Sequence, residues 1–340
     1  MSKHTTGILL INTGSSSAPR VPETRAYLKQ FLSDPRIIDI AAWKRWIIVN
    51  CFILPFRPKQ TAEAYEAIWT DRGSPLISIS EDFAQALAKE LPDMPIEIGM
   101  AYGDPSIEAG MDKLMARGVD RIIIAPMFPQ YASATTGAVF ERSFTYAAKQ
   151  WNVPCLTALP PYYDNEDYLD AWKSVAEEKL AAFQPDHVLL SYHGLPERQI
   201  KKGDPSGNHC LMKKDCCDTV NDANKNCYRR HCLYTSREIV KRLGLEEGTY
   251  SVTFQSRLGR DPWLTPATDQ TVEELAQQGV KRLAILSPAF TADCLETLEE
   301  IGMQAKDSFI EHGGEAFELI PSLNTHPQWV KAFAGIIKAL

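Results

Sequence analysis

The chain has 340 residues, of which 44% are hydrophobic and 23% are charged, so it is a folded globular protein rather than a disordered one. Its 36 lysine and arginine residues against 43 aspartate and glutamate residues give a net charge of −7, which argues against general nucleic-acid binding. No apolar run reaches the roughly 18 residues of a membrane-spanning helix, and the N-terminus lacks the pattern of a signal peptide. These features predict a cytoplasmic protein of two domains.

Short apolar runs alternate with amphipathic stretches along the chain. The runs are bounded by glycine, proline or polar residues, which is typical of strands buried on both faces. They predict strands at residues 7–12, 96–102, 121–125, 187–191, 250–254, 283–287 and 316–320. Helical periodicity predicts helices at residues 21–32, 81–91, 107–117, 138–149, 168–182, 236–243, 269–278 and 295–309. The alternation predicts an α/β fold of parallel sheets with helices on both faces.

A weak internal repeat suggests that the chain contains two similar α/β domains. ILLINTG at residues 8–14 and VLLSYHG at residues 188–194 are both apolar strands that end in polar residues and a glycine. We therefore predict an N-terminal domain of residues 1–165 and a C-terminal domain of residues 166–340. Ligands of such folds bind beyond the carboxyl ends of the strands, which is where His193 lies.

His193 belongs to the loop SYHGLP at residues 191–196. A single histidine is often structural, but its position at a strand end gives a catalytic role equal weight. Asp293 and Glu296 resemble a helix N-cap and its capping-box partner. The alternative is that Glu296 faces the ligand crevice opposite His193, which would give an acid/base pair.

Several other strand ends carry polar or aromatic residues. Together these residues predict a large and partly apolar ligand. The segments are FQSR at 254–257, DPWL at 261–264 and QYASATTG at 130–137. GSSS at 14–17 follows the first strand but lacks the spacing of a phosphate-binding loop, which favours an ordinary turn there.

Residues 46–56 (WIIVNCFILPF) form a conspicuously apolar segment with basic residues on both sides. The segment is too short to span a bilayer, and its basic flanks suit contact with a membrane surface. A helix packed in the core or at a dimer interface is the alternative.

Five of the eight cysteines lie close together in the sequence. They are Cys210, Cys216, Cys217, Cys227 and Cys232. Such a cluster in a reducing cytoplasm predicts a metal site rather than disulfides. Four thiolates suit either zinc or an iron–sulfur cluster, and the absence of paired CxxC motifs favours iron–sulfur. Neighbouring basic residues are expected to lower the thiol pKa values. They are Lys213, Lys214, Lys225, Arg229 and Arg230.

The combination of motifs resembles the ferrochelatase family, the terminal enzymes of haem synthesis, over nearly the whole chain. The most specific motifs are SYHGLP at 191–196, FQSRLGRDPWL at 254–264 and PAFTADCLETLEE at 288–300. Supporting motifs are YLKQFLSDPRIID at 27–39, GSPL at 73–76 and FPQYASATTG at 128–137. They are most similar to the protoporphyrin-using bacterial enzymes. The resemblance implies two Rossmann-like domains around a porphyrin cleft.

By this resemblance the protein is an enzyme that inserts ferrous iron into protoporphyrin IX to make protohaem. His193 and Glu296 correspond to the active-site residues that meet the Fe²⁺, and Asp293 lies in the same acidic pathway. The positions that line the cleft are Tyr102, Gln130, Tyr131 and Trp263. The segment 46–56 resembles a lip that admits porphyrin and touches the inner face of the membrane.

The cysteine-rich stretch, at about residues 197–232 of the C-terminal domain, resembles an insertion found in members with a 2Fe–2S cluster. Any four of the five cysteines remain candidates for its ligands. Gly14-Ser15-Ser16 departs from the GTP- or GGP-like first loop of the family. Two alternatives are a related chelatase for another metal or tetrapyrrole, and a non-catalytic tetrapyrrole-binding or iron–sulfur sensor protein.

Overall fold

Two four-stranded parallel sheets organise the computed structural model, which describes residues 5–257, 259 and 261–340. The first sheet contains β1 Thr6–Gly14, β2 Ile96–Tyr102, β3 Arg121–Pro126 and β4 Cys155–Ala158. The second sheet contains β5 His187–His193, β6 Tyr250–Gln255, β7 Arg282–Leu286 and β8 Ala316–Leu319. The orders are β2-β1-β3-β4 and β6-β5-β7-β8, so the two sheets have the same topology. The predicted α/β fold is confirmed.

Helices connect the parallel strands, as crossover connections between parallel neighbours require. In the order of the chain, the α-helices are α1 Val21–Ser33, α2 Ala42–Ile47, α3 Arg57–Ile68, α4 Pro75–Glu90, α5 Ile107–Ala116, α6 Ala138–Ala147, α7 Glu166–Phe183, α8 Glu197–Lys202, α9 Tyr228–Leu243, α10 Thr268–Gln277, α11 Lys306–Glu311 and α12 Pro327–Lys338. Ile48–Ile53, Ser133–Gly137 and Glu296–Ala305 are π-helical. None of the described helices is long and apolar enough to cross a membrane.

The chain divides into two compact units. Unit 1 comprises Met1–Phe128, Ser133–Pro160 and Val330–Leu340, and unit 2 comprises Pro129–Ala132 and Pro161–Trp329. Within unit 1 the final helix packs on α4, where the Phe83 and Phe333 ring centroids are 5.6 Å apart. The boundary at residue 165 stays a prediction.

Each unit has its own apolar core on its sheet. Residues 8–11 of β1 are all at most 3% exposed, because helices cover both faces of the sheet. In unit 2, Leu189 and Ile285 of the sheet pack with Val272 of α10 and Phe309 of α11. These cores hold the strand ends, and the loops that follow them, in fixed positions.

All seven predicted strands are present, with bounds within two residues of the prediction. The additional strand, β4, is a four-residue edge strand whose side chains are partly or fully exposed, so it lacks the buried apolar run that identified the others. Helix α9 begins eight residues before the predicted start at 236, and α4 begins six residues before 81. The helix predicted at 295–309 is mostly π-helical.

Candidate active site

His193 is the last residue of β5, opposite Gln255 at the end of β6. Its Nδ1 lies 2.7 Å from the carbonyl oxygen of Gly194. Because a carbonyl oxygen can only accept a hydrogen bond, Nδ1 carries the hydrogen in this contact. In the neutral ring, Nε2 is then the nitrogen with a lone pair. The half-buried imidazole therefore presents Nε2 as a proton acceptor.

The loop after His193 is closely packed against the loop after β6. A Cβ atom at Gly194 would lie 2.8 Å from the carbonyl oxygen of Gln255 and 3.2 Å from the Trp263 indole, so glycine is required there. Pro196 pairs with Trp263 in an antiparallel bridge. Trp263 is thereby held beside the histidine loop. Leu258 and Arg260 of the motif at 254–264 lie outside the described residues.

Asp293 does not cap the following helix, contrary to the prediction. The N-cap position is Leu295, and the Asp293 carboxylate accepts hydrogen bonds from the Thr297 hydroxyl, the Ser322 backbone and the Asn324 amide. Three donors and burial fix this carboxylate. Asp293 therefore anchors the start of the π-helical segment Glu296–Ala305, which we call the acidic π segment.

Glu300 belongs to the same group of charges, and the sequence analysis did not single it out. Ser256 Oγ donates to its Oε2 at 2.5 Å, and Gln255 Nε2 donates to the same oxygen at 3.3 Å. Burial raises the pKa of Glu300 above its ordinary value and the Glu296 carboxylate adds to this, whereas the hydrogen bond from Ser256 and the charge of His193 oppose the change. Glu300 is thus a half-buried carboxyl that interacts electrostatically with both predicted active-site residues.

A chain of buried hydrogen bonds fixes these groups. Ser191 Oγ donates to Gln255 Oε1 at 2.9 Å, and Gln255 Nε2 donates to the Glu296 carbonyl oxygen at 3.0 Å. Ser256, which offers its hydroxyl to Glu300, has a φ of 67°, a left-handed conformation that is uncommon outside glycine. The backbone strain and the network both serve to orient the Glu300 carboxyl.

The expected porphyrin-contacting residues differ in how they are held. Gln130 is buried and donates to Thr235 of α9, whereas Tyr131 is half-buried and its backbone N–H donates to His231. Tyr102 belongs to unit 1, where its hydroxyl donates to Asp34 at 2.9 Å. Burial raises the pKa of Tyr102, and the Asp34 charge adds to this.

The cysteines lie in the connection between α8 and α9, residues 203–227, which we call the cysteine loop, and on α9 itself. All five are buried. The Sγ atoms of Cys216 and Cys217 are 3.7 Å apart, and the Cys227 thiol is within hydrogen-bonding range of both Cys217 and Cys210. Cys232 lies further along α9, with its thiol against the Tyr228 hydroxyl. The structure thus brings four cysteines together and sets Cys232 beside them.

Polar side chains organise the cysteine loop. Asp204 accepts hydrogen bonds from the backbone N–H groups of Ser206, His209 and Cys210, and these bonds, with the Ser206 hydroxyl foremost, lower its pKa. Asn224, which is fully buried, donates to the carbonyl oxygens of Cys216 and Thr219. The loop is therefore built to a defined shape.

The predicted lowering of the thiol pKa values is wrong for the isolated chain. Burial raises the pKa of Cys210 and Cys216, and the hydrogen bond with Cys227, followed by burial, raises the pKa of Cys217. The Arg229 guanidinium, 3.1 Å from Cys217 Sγ, acts in the opposite direction at Cys216 and Cys217. Among the residues that the structure describes, no group of three or more histidine, cysteine, aspartate or glutamate side chains is arranged to hold a single metal ion.

Residues 5–340 match the ferrochelatase family. The chain belongs to this family. A ferrochelatase of Coxiella burnetii is 44% identical over 333 residues, covering 98% of this chain and 93% of that protein. A ferrochelatase of Pseudomonas fluorescens is 45% identical over 330 residues, covering 97% of this chain and 96% of that protein. Iron insertion into porphyrin for haem synthesis is accordingly the activity of this chain.

A solved structure supports the fold independently. SirB from Bacillus subtilis matches with a TM-score of 0.56 and 12% identity, covering 98% of this chain and 94% of that one. At this identity the similarity concerns the fold alone. It supports the two-domain α/β architecture of this chain.

In unit 1, the apolar segment at 46–56 is largely exposed. Trp46, Phe52 and Phe56 are 63%, 65% and 75% exposed, and only Val49 and Leu54 of the segment are buried. A helix packed in the core is therefore not what forms here. Exposed aromatic rings of this number form an apolar surface that suits a partner or a membrane interface.

Proposed function

We propose that His193 accepts the pyrrole protons during iron insertion and that Glu296 binds the incoming Fe²⁺. The observation that carries this is the hydrogen bond from His193 Nδ1 to the Gly194 carbonyl oxygen, since it assigns the lone pair to Nε2. Protoporphyrin IX must lose two N–H protons when Fe²⁺ enters, and a neutral imidazole is the group best suited to accept them near neutral pH.

Glu300 takes the next position in the path of the protons. Its half-buried carboxyl has a raised pKa and interacts with His193, so it can hold a proton that the imidazole releases. Ser256 and Gln255 orient it. Glu296, half-buried at the start of the acidic π segment, is the carboxylate that replaces water on Fe²⁺, for which oxygen ligands are suitable. Asp293 supports this arrangement through its bond with Thr297.

The porphyrin is proposed to contact Tyr131 and Trp263, which are half-buried side chains of unit 2. Gln130 contributes through its bond to Thr235, which fixes the backbone beside Tyr131. Tyr102, whose ring is fixed by Asp34, is a further residue proposed to contact the porphyrin.

We further propose that Cys210, Cys216, Cys217 and Cys227 hold a 2Fe–2S cluster. Such a cluster takes four thiolates, two for each iron, so it does not require the single-ion geometry that the described residues lack. The buried loop, its internal hydrogen bonds and the Arg229 donor to the sulfurs fit this group. The cluster supplies one-electron redox chemistry when bound, and no step of iron insertion depends on it here.

Two variants test the assignment of the ligands. Cys227→Ser should abolish visible absorption of the purified protein, whereas Cys232→Ser should retain it, because the Cys232 thiol already contacts Tyr228. Absorption that persists in Cys227→Ser, or that is lost in Cys232→Ser, would refute the assignment. A protein that contains zinc and no iron would refute the cluster itself.

The exposed segment at 46–56 is proposed to contact the membrane surface at its cytoplasmic face. Lys44 and Arg45 precede the segment and Arg57 and Lys59 follow it, a charge distribution that attracts anionic lipid headgroups. Protoporphyrin is a flat apolar molecule, so a binding protein that touches the bilayer has direct access to it.

The activity is tested by anaerobic incubation with protoporphyrin IX and Fe²⁺, in which porphyrin fluorescence decreases as haem absorbance appears. Parallel reactions with Co²⁺, and with other tetrapyrroles in place of protoporphyrin, measure the preference. Faster insertion into another tetrapyrrole would favour the related-chelatase alternative. Tight porphyrin binding without turnover would favour a binding or sensor protein.

A further inference from the structure

The part of helix α9 from Tyr228 to Ser236 carries a buried face that is mainly polar. The residues on this face are Tyr228, His231, Cys232, Thr235 and Ser236, at spacings of three, four, seven and eight from the first. These spacings place them on one side of a helix. The helix begins directly after Cys227, its N-cap residue, so this face starts at the cysteine loop.

The first contact of this face is with the active-site histidine. Tyr228 is adjacent to Cys227, and its hydroxyl donates to the carbonyl oxygen of His193 at 2.8 Å. On the same peptide strand, the Tyr192 hydroxyl is 2.8 Å from Ser236 Oγ. Two hydrogen bonds, one buried and one partly buried, therefore tie α9 to consecutive residues of β5. The backbone of His193 is thus held from the side of the cysteine loop.

The second contact connects the cysteine loop to Tyr131. The backbone N–H of Tyr131 donates to His231 Nδ1 at 3.1 Å, so the hydrogen of the ring is on Nε2. His231 Nε2 lies 2.7 Å from the carbonyl oxygen of Lys225, two residues before Cys227. The ring is also stacked on Tyr163, with centroids 3.6 Å apart. His231 thus bridges the end of the cysteine loop and the backbone of a proposed porphyrin-contacting residue.

We infer that Tyr228 and His231 are positioning residues that connect the cysteine loop to the two halves of the reaction. Tyr228 sets the position of His193, and His231 sets the position of Tyr131. The group that the thiols bind fixes the conformation of the cysteine loop. Through the first turn of α9, that conformation then affects proton acceptance by His193 and porphyrin binding by Tyr131. This inference rests on the proposed roles of His193 and Tyr131.

Matched substitutions separate the two connections. Tyr228→Phe removes one hydroxyl and should lower kcat about tenfold, the effect of one lost hydrogen bond, with KM for protoporphyrin IX within twofold of the unmodified protein. His231→Phe keeps a ring against Tyr163 and loses both hydrogen bonds. It should raise KM and the porphyrin dissociation constant, measured by fluorescence quenching, about tenfold, with a smaller change in kcat.

Tyr234→Phe is the control, because it removes a phenol hydroxyl from the same helix where the ring packs on Tyr163 and Arg230. This variant should leave kcat and the KM for protoporphyrin IX unchanged. A general loss of structure would reduce kcat in proportion to the folded fraction and would not divide the effects between kcat and KM. Unchanged kcat in Tyr228→Phe, or parallel changes in all three variants, would overturn the inference.

A measurement on the unmodified protein does not depend on the folding of a variant. Hydrogen exchange is compared before and after removal of bound metal by a chelator. We expect faster exchange at 191–194 and 129–132, and unchanged exchange in β7. Unchanged exchange at 191–194 would overturn the inference, even where turnover is intact. Absence of turnover in the unmodified protein would instead contradict the proposed function.

Discussion

The two units share a sheet topology, but they use equivalent segments differently. Each has a π-helical segment after the third strand of its sheet, Ser133–Gly137 in unit 1 and Glu296–Ala305 in unit 2. The first consists of small and hydroxyl residues, whereas the second carries Glu296, Glu299 and Glu300. π-Helical turns are rare and concentrate at functional sites. The π-helical segment thus carries acidic side chains in unit 2 but not in unit 1.

The additional segments lie in equivalent positions too. Both are in the crossover between the first and second strands of their unit, residues 42–68 in unit 1 and the cysteine loop in unit 2. The first exposes aromatic rings and the second buries thiols. The comparison suggests that unit 2 specialised in proton and metal chemistry, whereas unit 1 specialised in contact with an apolar surface.

The largest expected effect is at His193, the residue on which the chemistry assigned to unit 2 depends. His193→Ala should lower kcat by roughly 10²–10⁴, because a general base contributes about that much. Stopped anaerobic assays of haem formation measure it, and circular dichroism checks the fold. His187→Gln is the control, since His187 lies at the other end of β5, roughly 20 Å away, bonded to Ser251. Normal turnover in His193→Ala would refute the role.

A neighbouring pair on the acidic π segment sharpens the assignment. Glu300→Gln should lower kcat roughly a hundredfold, because the amide cannot hold the transferred proton. Glu299→Gln should have no such effect, since Glu299 is bonded to Gln304 at the surface. An equal loss of kcat in the two variants would show that turnover depends on the charge of this segment rather than on the oriented Glu300 carboxyl.

Unit 1 is tested by its exposed rings. Phe56→Ser should weaken binding to anionic vesicles about tenfold, because partial burial of a phenylalanine ring in the interface contributes on the order of 1.4 kcal/mol. Vesicle sedimentation measures this. Trp151→Ser is the control, as Trp151 is 98% exposed in unit 1 but lies outside the segment 46–56. Equal loss of binding in both variants would mean that the surface of the segment has no special role.

Much of the fold followed from short buried strands, because burial on both faces leaves a continuous apolar run such as that of β1. The start of α9 did not follow, because its buried face is made of Tyr228, His231 and Cys232, so the helical spacing is present without the apolar residues that usually mark it. Tyrosine, histidine and cysteine at helical spacing indicate a buried helix face as aliphatic residues do, and they would have placed the start of α9 earlier.

The sequence predicts candidate residues of the site but not the contacts between them. His193 and Glu296 were predicted from strand ends and motifs, and their roles stay predictions. Glu300 was not, because its role depends on Ser256, whose left-handed backbone brings the hydroxyl to the carboxylate and leaves no pattern in the sequence. The N-cap expected at Asp293 does not form, because a capping box and an anchored carboxylate share the same local residues, and the catalytic role expected of Asp293 stays a prediction.

The smallest expected effect is on stability and follows from the direction of the Glu300 pKa. Burial raises this pKa above its ordinary value of 4.5, so the folded protein favours the neutral carboxyl. Its contribution to stability is complete below pH 4.5 and is lost as the pH rises through the raised pKa, since folding then holds a buried charge. Gln carries no charge at any pH.

The Tm of Glu300→Gln should therefore equal that of the unmodified protein at pH 4 and exceed it by roughly 1–3 °C at pH 8. Glu299→Gln should show no such divergence, because Glu299 lies at the surface of the same segment. A Glu300→Gln protein that is less stable at pH 8 than at pH 4, relative to the unmodified protein, would mean that the carboxylate is stabilised by the bonds from Ser256 and Gln255. In that case Glu300 would be charged at rest, and it would accept the proton from His193 only during the reaction.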